Sequence, residues 1–476
     1  MTKAQLKKRI DVAAGRVPAD LLIKNAKIVD VFCGTIFPGD IAISDGVIAG
    51  VGSYDAGVQI IDADGRYATP GFIDSHIHIE SACVTPEEIG RLLVPYGTTT
   101  IIADPHEIAN IKGLDAMAYM IDAARGTVLD IKYMVPSCVP ATPFETAGAA
   151  IEAEDMTRLF AAGEVFGLGE YMNYPGVIQG EDVVLDRLLA AHGAGVHIDG
   201  HSPWVHDKEL NAYAAAGIST DHECTTVEEM QARISKGMYV LMRQGSACHD
   251  LENLVIGVTS ENAHRCLLCS DDRQPKTIFE CGHLDDHLRI CVSSGMNPVT
   301  AIRMATLNAA QCFGLHDRGA IAPGRRADIV LLDNLVDFPA NQVFIQGKLV
   351  AEDGRYLPET IRRDSSSMES SFHVQDFSVD RLKLQLSNNR VKVIDILPGG
   401  VVTGKGTAEV TLDGDGNFTY DPGADIVKVA VVERHKGTGN VAVALLRGYG
   451  IKRGAVALSI AHDSHNIIAA GVSDAD

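Results

Sequence analysis

Two histidines stand two apart in "FIDSHIHIE", residues 72–80, with Asp74 before them and Glu80 after. In an extended strand, residues i and i+2 project to the same face, so His76 and His78 aim at one point in space. Two convergent neutral imidazoles are good ligands for a divalent transition metal. The same pair also suits core or surface histidines satisfied by local hydrogen bonds, so the rest of the chain has to decide.

Further chemistry-bearing residues close other short apolar runs. "TTTIIADPHE" ends in Asp104, His106 and Glu107, and "EVFGLGE" in Glu170. "AGVHIDGH" ends in His201, "GISTDHE" in Asp221, His222 and Glu223, and "RCLLCSDD" in Asp271 and Asp272. Any one of these is explicable as a satisfied polar group. Six runs that each deliver a histidine or a carboxylate are harder to explain that way, and mixed imidazole and carboxylate donors suit Zn, Mn or Fe. A carboxylate shared between two such ions holds them close, which favours activation of water at neutral pH.

The elements that must position these groups follow from the patterning. From residue 70 onward, eight short apolar strands alternate with longer helical patterns: 72–78, 98–103, 130–136, 164–170, 194–201, 217–223, 238–246 and 265–272. Helical candidates such as "TPEEIGRLLVPYG", "EDVVLDRLLAAHG" and "TVEEMQARISKG" lie between them. This is the pattern of an α/β chain folded as a (β/α)8 TIM-like barrel, whose chemistry collects at the C-terminal ends of its strands. The flanks differ in texture. Residues 1–70 carry a short amphipathic helix and then alternating strands with Asp-Gly turns. Residues 319–361 return to that texture and are expected to complete one β-sandwich with them, around a catalytic barrel at 71–318. "RRDSSSMESS" reads as a linker. Residues 374–476 form a β-rich C-terminal domain.

Bulk properties narrow the function classes. The chain has 476 residues, enough for two or three domains, and 46% of them are hydrophobic. A net charge of −21 argues against a nucleic-acid partner. No run of eighteen apolar residues suggests a membrane span, and the N-terminus lacks a signal-type apolar core. Ten scattered cysteines fit reduced thiols in a cytoplasmic protein. Cys266 and Cys269 form a C-x-x-C, followed by Cys281 and His283. A zinc knuckle is one reading, but within a short buried strand inert core cysteines are the better one.

These motifs resemble the amidohydrolase superfamily: "PGFIDSHIHIE", the histidines of the fifth and sixth strands, the eighth-strand Asp, and the closing "GAIAPGRRADIVLLD". Within it the chain is similar to the bacterial adenine deaminase family. That likeness is carried by "GTTTIIADPHEIAN", "GLGEYMNYPGV", "GHSPWVHDKELNAYAAAGISTDHE", "LLCSDDR", "MATLNAAQCFGL" and "AHDSHNIIAAG", and it covers about residues 20–471.

The resemblance implies a cytoplasmic, homo-oligomeric hydrolase of purine salvage. It would convert adenine to hypoxanthine and ammonia by attack of metal-activated water at C6. It also implies two divalent ions, Mn or Fe with Zn as a further option. His76, His78 and Asp271 would hold one ion, His201 and His222 the other, and Glu170 would bridge them. Related cyclic-amide hydrolases often bridge with a carboxylated lysine, and "GLGE" here offers glutamate instead. Asp271, Glu170 and His106 are the expected catalytic residues. Glu80, Glu107, Arg243, Ser246, His462 and His465 are the expected substrate contacts. Two features depart from the family pattern. Gln244 stands where the family usually has Glu, and the sequence stops at Asp476 where the family continues, so the C-terminal domain reads as shortened. Two other readings stay open: an amidohydrolase acting on a different heterocycle or cyclic amide, and a non-catalytic barrel scaffold.

Overall fold

The computed structural model describes residues 1–397 and 402–476 as two compact units. The first comprises Met1–Pro105, Ala118–Ser137 and Glu152–Arg363; the second comprises His106–Met117, Cys138–Ile151 and Asp364–Asp476.

The first unit is built on a curled parallel sheet. Its strands are Phe72–Ile77, Thr98–Ala103, Asp130–Val135, Gly167–Tyr171, His197–Gly200, Thr220–Asp221, Tyr239–Arg243 and Cys266–Cys269. Strands one to five pair in order, as do six to eight, all parallel. Strands five and six meet through the bond from Ser219 N to Ile198 O, and Ile77 bridges Asp271 in parallel to close the ring. This is the expected (β/α)8 barrel. Its strands are largely buried because both faces are covered, and Ile73, Ile102, Met134, Leu241 and Leu267 join one buried cluster.

Local signals set the helices between them. Pro86 opens Pro86–Leu93 with Glu87 and Glu88 in its first turn. Thr226 and Glu229 form a reciprocal capping box at the start of Val227–Ser235. Asp182–Ala194 ends at Gly195, whose φ of 67° suits glycine.

The same unit carries a nine-stranded sheet in which the two flanks of the chain pair. Ile329–Leu332 runs antiparallel to Tyr67–Pro70, with Ile329 opposite Pro70. Ile23, Ile28, Ile41, Ile329 and Phe344 share its core. Asp130, at the start of the third barrel strand, is held by Arg318, by Arg326 at 2.8 Å and by Lys132 at 3.0 Å.

The second unit holds a six-stranded sheet in the order Thr403–Glu409, Arg390–Ile396, Val441–Arg447, Ile426–Val432, Ile467–Gly471, Ala455–Leu458. Val393, Phe418, Ile426 and Leu445 pack beneath it. Among the described residues, no helix is long and apolar enough to cross a membrane.

Candidate metal centre and active site

Each donor of the first unit sits at or just past the C-terminal end of a barrel strand. His76 is the next-to-last residue of the first strand and His78 follows it; Glu170 lies in the fourth strand. His201 and His222 directly follow the fifth and sixth, and Asp271 lies two residues past the eighth. These six side chains converge. His76 Nε2 and His78 Nε2 are 3.1 Å apart. Asp271 Oδ1 is 3.2 Å from His78 Nε2 and 3.6 Å from His76 Nε2. On the other side, Glu170 Oε2 is 2.9 Å from His201 Nδ1 and 3.1 Å from His222 Nε2. Glu170 Oε1 faces the opposite way, 3.4 Å from His78 Nε2. One carboxylate therefore reaches both halves of the cluster.

Neighbours fix the direction of each ring. Asp199 Oδ2 lies 2.8 Å from His76 Nδ1, and the carbonyl of Asp104 lies 2.8 Å from His78 Nδ1. Both contacts leave Nε2 pointing into the cluster. The Asp104 carboxylate also accepts from the backbone N–H of Glu170 at 2.9 Å. It comes so close to the fourth strand that a Cβ on Gly169 would lie 2.1 Å from it, which accounts for the glycine in "GLGE". Asp271 adopts φ 54°, an unusual conformation for a non-glycine residue. Its backbone is pinned there by exchange with the first strand: Asp271 N donates to His76 O at 2.9 Å, and His78 N donates to Asp271 O at 3.2 Å.

The electrostatics match a site built for cations. Burial opposes charge on the imidazoles, yet the Glu170 hydrogen bond and surrounding carboxylates raise His222 to about 10, and Asp271 and Glu170 raise His78 well above its usual range. Burial would raise the Asp271 carboxyl, but His78 and Arg243 hold it well below the ordinary carboxylate range. The carboxylates that raise these imidazoles are the charges a bound cation would neutralise. Among the groups of described residues whose donor atoms lie within 4.8 Å of one another are His76–His78–Glu170 and Glu170–His201–His222, which share Glu170. Four imidazoles and two carboxylates are the donors that divalent transition metals take.

The other expected residues fall in different places. Glu80 opens the 3-10 turn Glu80–Ala82 after the first strand. Arg243 is buried at the end of the seventh strand and bonded to Glu223, Asp250 and Asp271. The Ser246 hydroxyl accepts from Gln274 N at 2.8 Å and pairs with Thr277 Oγ1 at 2.7 Å, so it helps start the helix Pro275–Cys281. Gln244 Nε2 lies 2.9 Å from His249 Nδ1. In the second unit, His106, Glu107 and His465 are buried, and His462 Nε2 is 3.5 Å from Glu107 Oε1. The His462 ring centroid lies 6.0 Å from that of His106 and 5.1 Å from that of His465. Cys266 and Cys269 lie in the buried eighth strand, where burial pushes the Cys266 thiol up to about 12, consistent with inert core thiols. Asp199 lies outside the strand-end donors singled out above, and its place two residues before His201 in "HIDGH" is the sequence signal that marks it.

The amidohydrolase family profile matches residues 67–350, and the adenine deaminase C-terminal domain profile matches residues 400–476. The chain is 61% identical over 476 residues to adenine deaminase 2 of Desulfotalea psychrophila, covering all of this chain and 82% of that protein. It is 53% identical over the same span to adenine deaminase of Ligilactobacillus salivarius, again covering 82% of the relative. The chain belongs to the adenine deaminase family of amidohydrolases. Membership implies a divalent metal, and the donor set above fits one. Among solved structures, the β-aspartyl dipeptidase of Fervidobacterium islandicum superposes with a TM-score of 0.54 at 16% identity, over 72% of this chain and 99% of that one. The N-isopropylammelide isopropylaminohydrolase of Burkholderia multivorans gives 0.51 at 20%, over 71% and 99%. At these identities the likeness is one of fold. The barrel and its convergent histidine and carboxylate side chains thus lie in the matched amidohydrolase segment, and the six-stranded sheet overlaps the matched C-terminal domain.

Proposed function

We propose that this chain is an adenine deaminase, hydrolysing the exocyclic C–N bond of adenine to give hypoxanthine and ammonia in purine salvage. The observation that carries the reading is the pairing of whole-chain identity to adenine deaminases with a convergent donor set of four histidines and two carboxylates. The substrate is a small molecule. The chain's acidity gives a nucleic acid no basic footprint to bind, and the ten free cysteines suit a cytoplasmic enzyme. By analogy with the family we propose a homo-oligomer.

His76, His78 and Asp271 would hold one divalent ion, His201 and His222 a second, and Glu170 would bridge the two. Mn or Fe suits this mixture, with Zn a further candidate. When bound, the ions supply Lewis-acid activation of water. The chain's own groups do the rest. Adenine C6 is a weak electrophile until ring N1 is protonated, a task for a carboxylic acid or an imidazole of the site. Asp271 accepts one proton of the attacking water and returns it to the departing amine, so that the C6–N bond breaks with ammonia as leaving group; the proton left on the C6 hydroxyl returns to the group that protonated N1 as the C6 carbonyl forms. Asp199 and the Asp104 carbonyl keep the rings of His76 and His78 in their ligating tautomers.

The test is ammonia release from adenine by the purified chain supplied with Mn or Fe, with a chelator as control and hydantoin and cytosine as competing substrates. Release from adenine that the chelator abolishes supports the reading. Turnover of another heterocycle with adenine inert would move the chain to a different amidohydrolase specificity, and metal binding with no turnover would point to a scaffold.

A further inference from the structure

Arg243 ends the seventh barrel strand and is 2% exposed. A guanidinium has five N–H donors, and here each has a carboxylate facing it. Nε donates to Asp250 Oδ2 at 3.0 Å, and Nη2 reaches the same oxygen at 2.9 Å and Glu223 Oε2 at 3.3 Å. Nη1 donates to Glu223 Oε1 and, at 3.0 Å, to Asp271 Oδ2. No donor remains to meet a substrate. The backbone ties the same corner together, since Asp250 N donates to Arg243 O at 3.1 Å.

The two oxygens of Asp271 are thereby given different surroundings. Oδ2 is bonded to the guanidinium, while Oδ1 faces His76 and His78. Glu223 is similarly restrained. Its Oε1 lies 3.6 Å from both His201 Nδ1 and His222 Nε2, close enough to become a ligand if released, yet both its oxygens are taken by Arg243.

We propose that Arg243 is a positioning residue for deamination: it holds Oδ2 of Asp271 so that Oδ1 is the oxygen turned to the donor cluster, and it withholds Glu223 from the metal. This rests on the reading of Asp271 as ligand and proton carrier. Removing the guanidinium frees one Asp271 oxygen and both Glu223 oxygens beside the donor cluster, and it deletes a positive charge there. The consequences have opposite signs. A cation is held more tightly by a more negative, more chelating site, while the geometry needed for turnover is lost.

The experiment compares Arg243→Gln, Arg243→Lys and the double variant Arg243→Gln/Glu223→Gln with the parent, as full chains loaded with Mn. Two readouts are taken: the rate of Mn loss to excess chelator, and kcat and KM for adenine. In Arg243→Gln, kcat should fall about a hundredfold with KM within about threefold, the pattern of an interaction that does not bind substrate. Mn loss should become slower than in the parent, and the double variant should reverse that gain because an amide is a poorer ligand. Arg243→Lys, which keeps the charge but spans fewer carboxylates, should recover part of kcat. Faster Mn loss together with lower kcat in both single variants would overturn the proposal in favour of a plain structural role. A KM increase with kcat preserved would overturn it in favour of substrate contact. Should Asp271→Asn prove active while Arg243→Gln still slows Mn loss, the proton-carrier reading would fail and the withholding of Glu223 would stand.

Discussion

Asp199 Oδ2 lies 2.8 Å from His76 Nδ1 at the base of the donor cluster, with both side chains buried. Burial alone would raise the Asp199 carboxyl, but the His76 contact holds it down at about 2. It therefore stays ionised and turns the other ring nitrogen toward the cluster. Substitution Asp199→Asn keeps the shape and loses the charge. Metal affinity should drop about tenfold or more, the usual effect of removing such a partner, with near-ultraviolet circular dichroism unchanged. Competition with a chromogenic chelator measures it, and an affinity equal to the parent's would show that His76 needs no orienting carboxylate.

Glu170 and His201 should differ in how they lose metal. Glu170 faces both halves of the cluster, whereas His201 faces one. His201→Ala should leave about one ion per chain and Glu170→Ala fewer, since a shared bridge supports both ions. Elemental analysis after dialysis against metal-free buffer decides. The same stoichiometry in the two variants would remove the bridging role.

Asp271→Asn should abolish deamination while retaining much of the metal. The amide still offers a carbonyl oxygen, but it cannot accept a proton at neutral pH. Turnover should fall by about a hundredfold or more, the size of a general acid–base contribution. Initial ammonia release from saturating adenine, read beside metal content, tests this. Retention of more than about a tenth of parental turnover with full metal would send the search for the base elsewhere.

Acid sensitivity should trace in part to Asp130. Burial would raise its carboxyl, but the charges of Arg318, Lys132 and Arg326 lower it to about 2. A carboxyl depressed in the folded state contributes stability above its unfolded value, and that contribution is lost as pH falls through the folded one. Asp130→Asn should therefore cost about 2 kcal/mol or more at neutral pH, by the conversion of pKa shift to free energy and the buried guanidiniums left behind. The gap between variant and parent in urea midpoint should narrow as pH falls from about 4 toward 2. A gap independent of pH over that window would mean the pair contributes through packing alone.

Much of the barrel was legible because its signals are local. "TTTIIA" is a strand at Thr98–Ala103, as read, because β-branched residues bury both faces there. The sixth strand is shorter than its apolar pattern suggested, only Thr220–Asp221 of the expected 217–223. The Asp221 carboxylate accepts from Ser202 N, Glu223 N and Arg233 Nε, which draws the chain out of the ladder and releases His222 toward the cluster. Ser246 illustrates the opposite limit. A serine after a strand looks available for substrate, and only the neighbouring helix start shows where its hydroxyl goes.

By itself the sequence determined the alternation of strands and helices, the six donor residues at strand ends and the family motifs. Each of these is carried by spacing within a short segment, which patterning preserves. Only the tertiary structure decided which atoms meet. Asp199 finds His76 across 123 residues, Arg243 gathers Glu223, Asp250 and Asp271, and Glu170 turns one oxygen to each half of the cluster. Closing the sheet into a ring creates these pairings between residues far apart in the chain. Their direction depends on ring tautomers, backbone exchanges and a strained φ at Asp271 that no local pattern encodes.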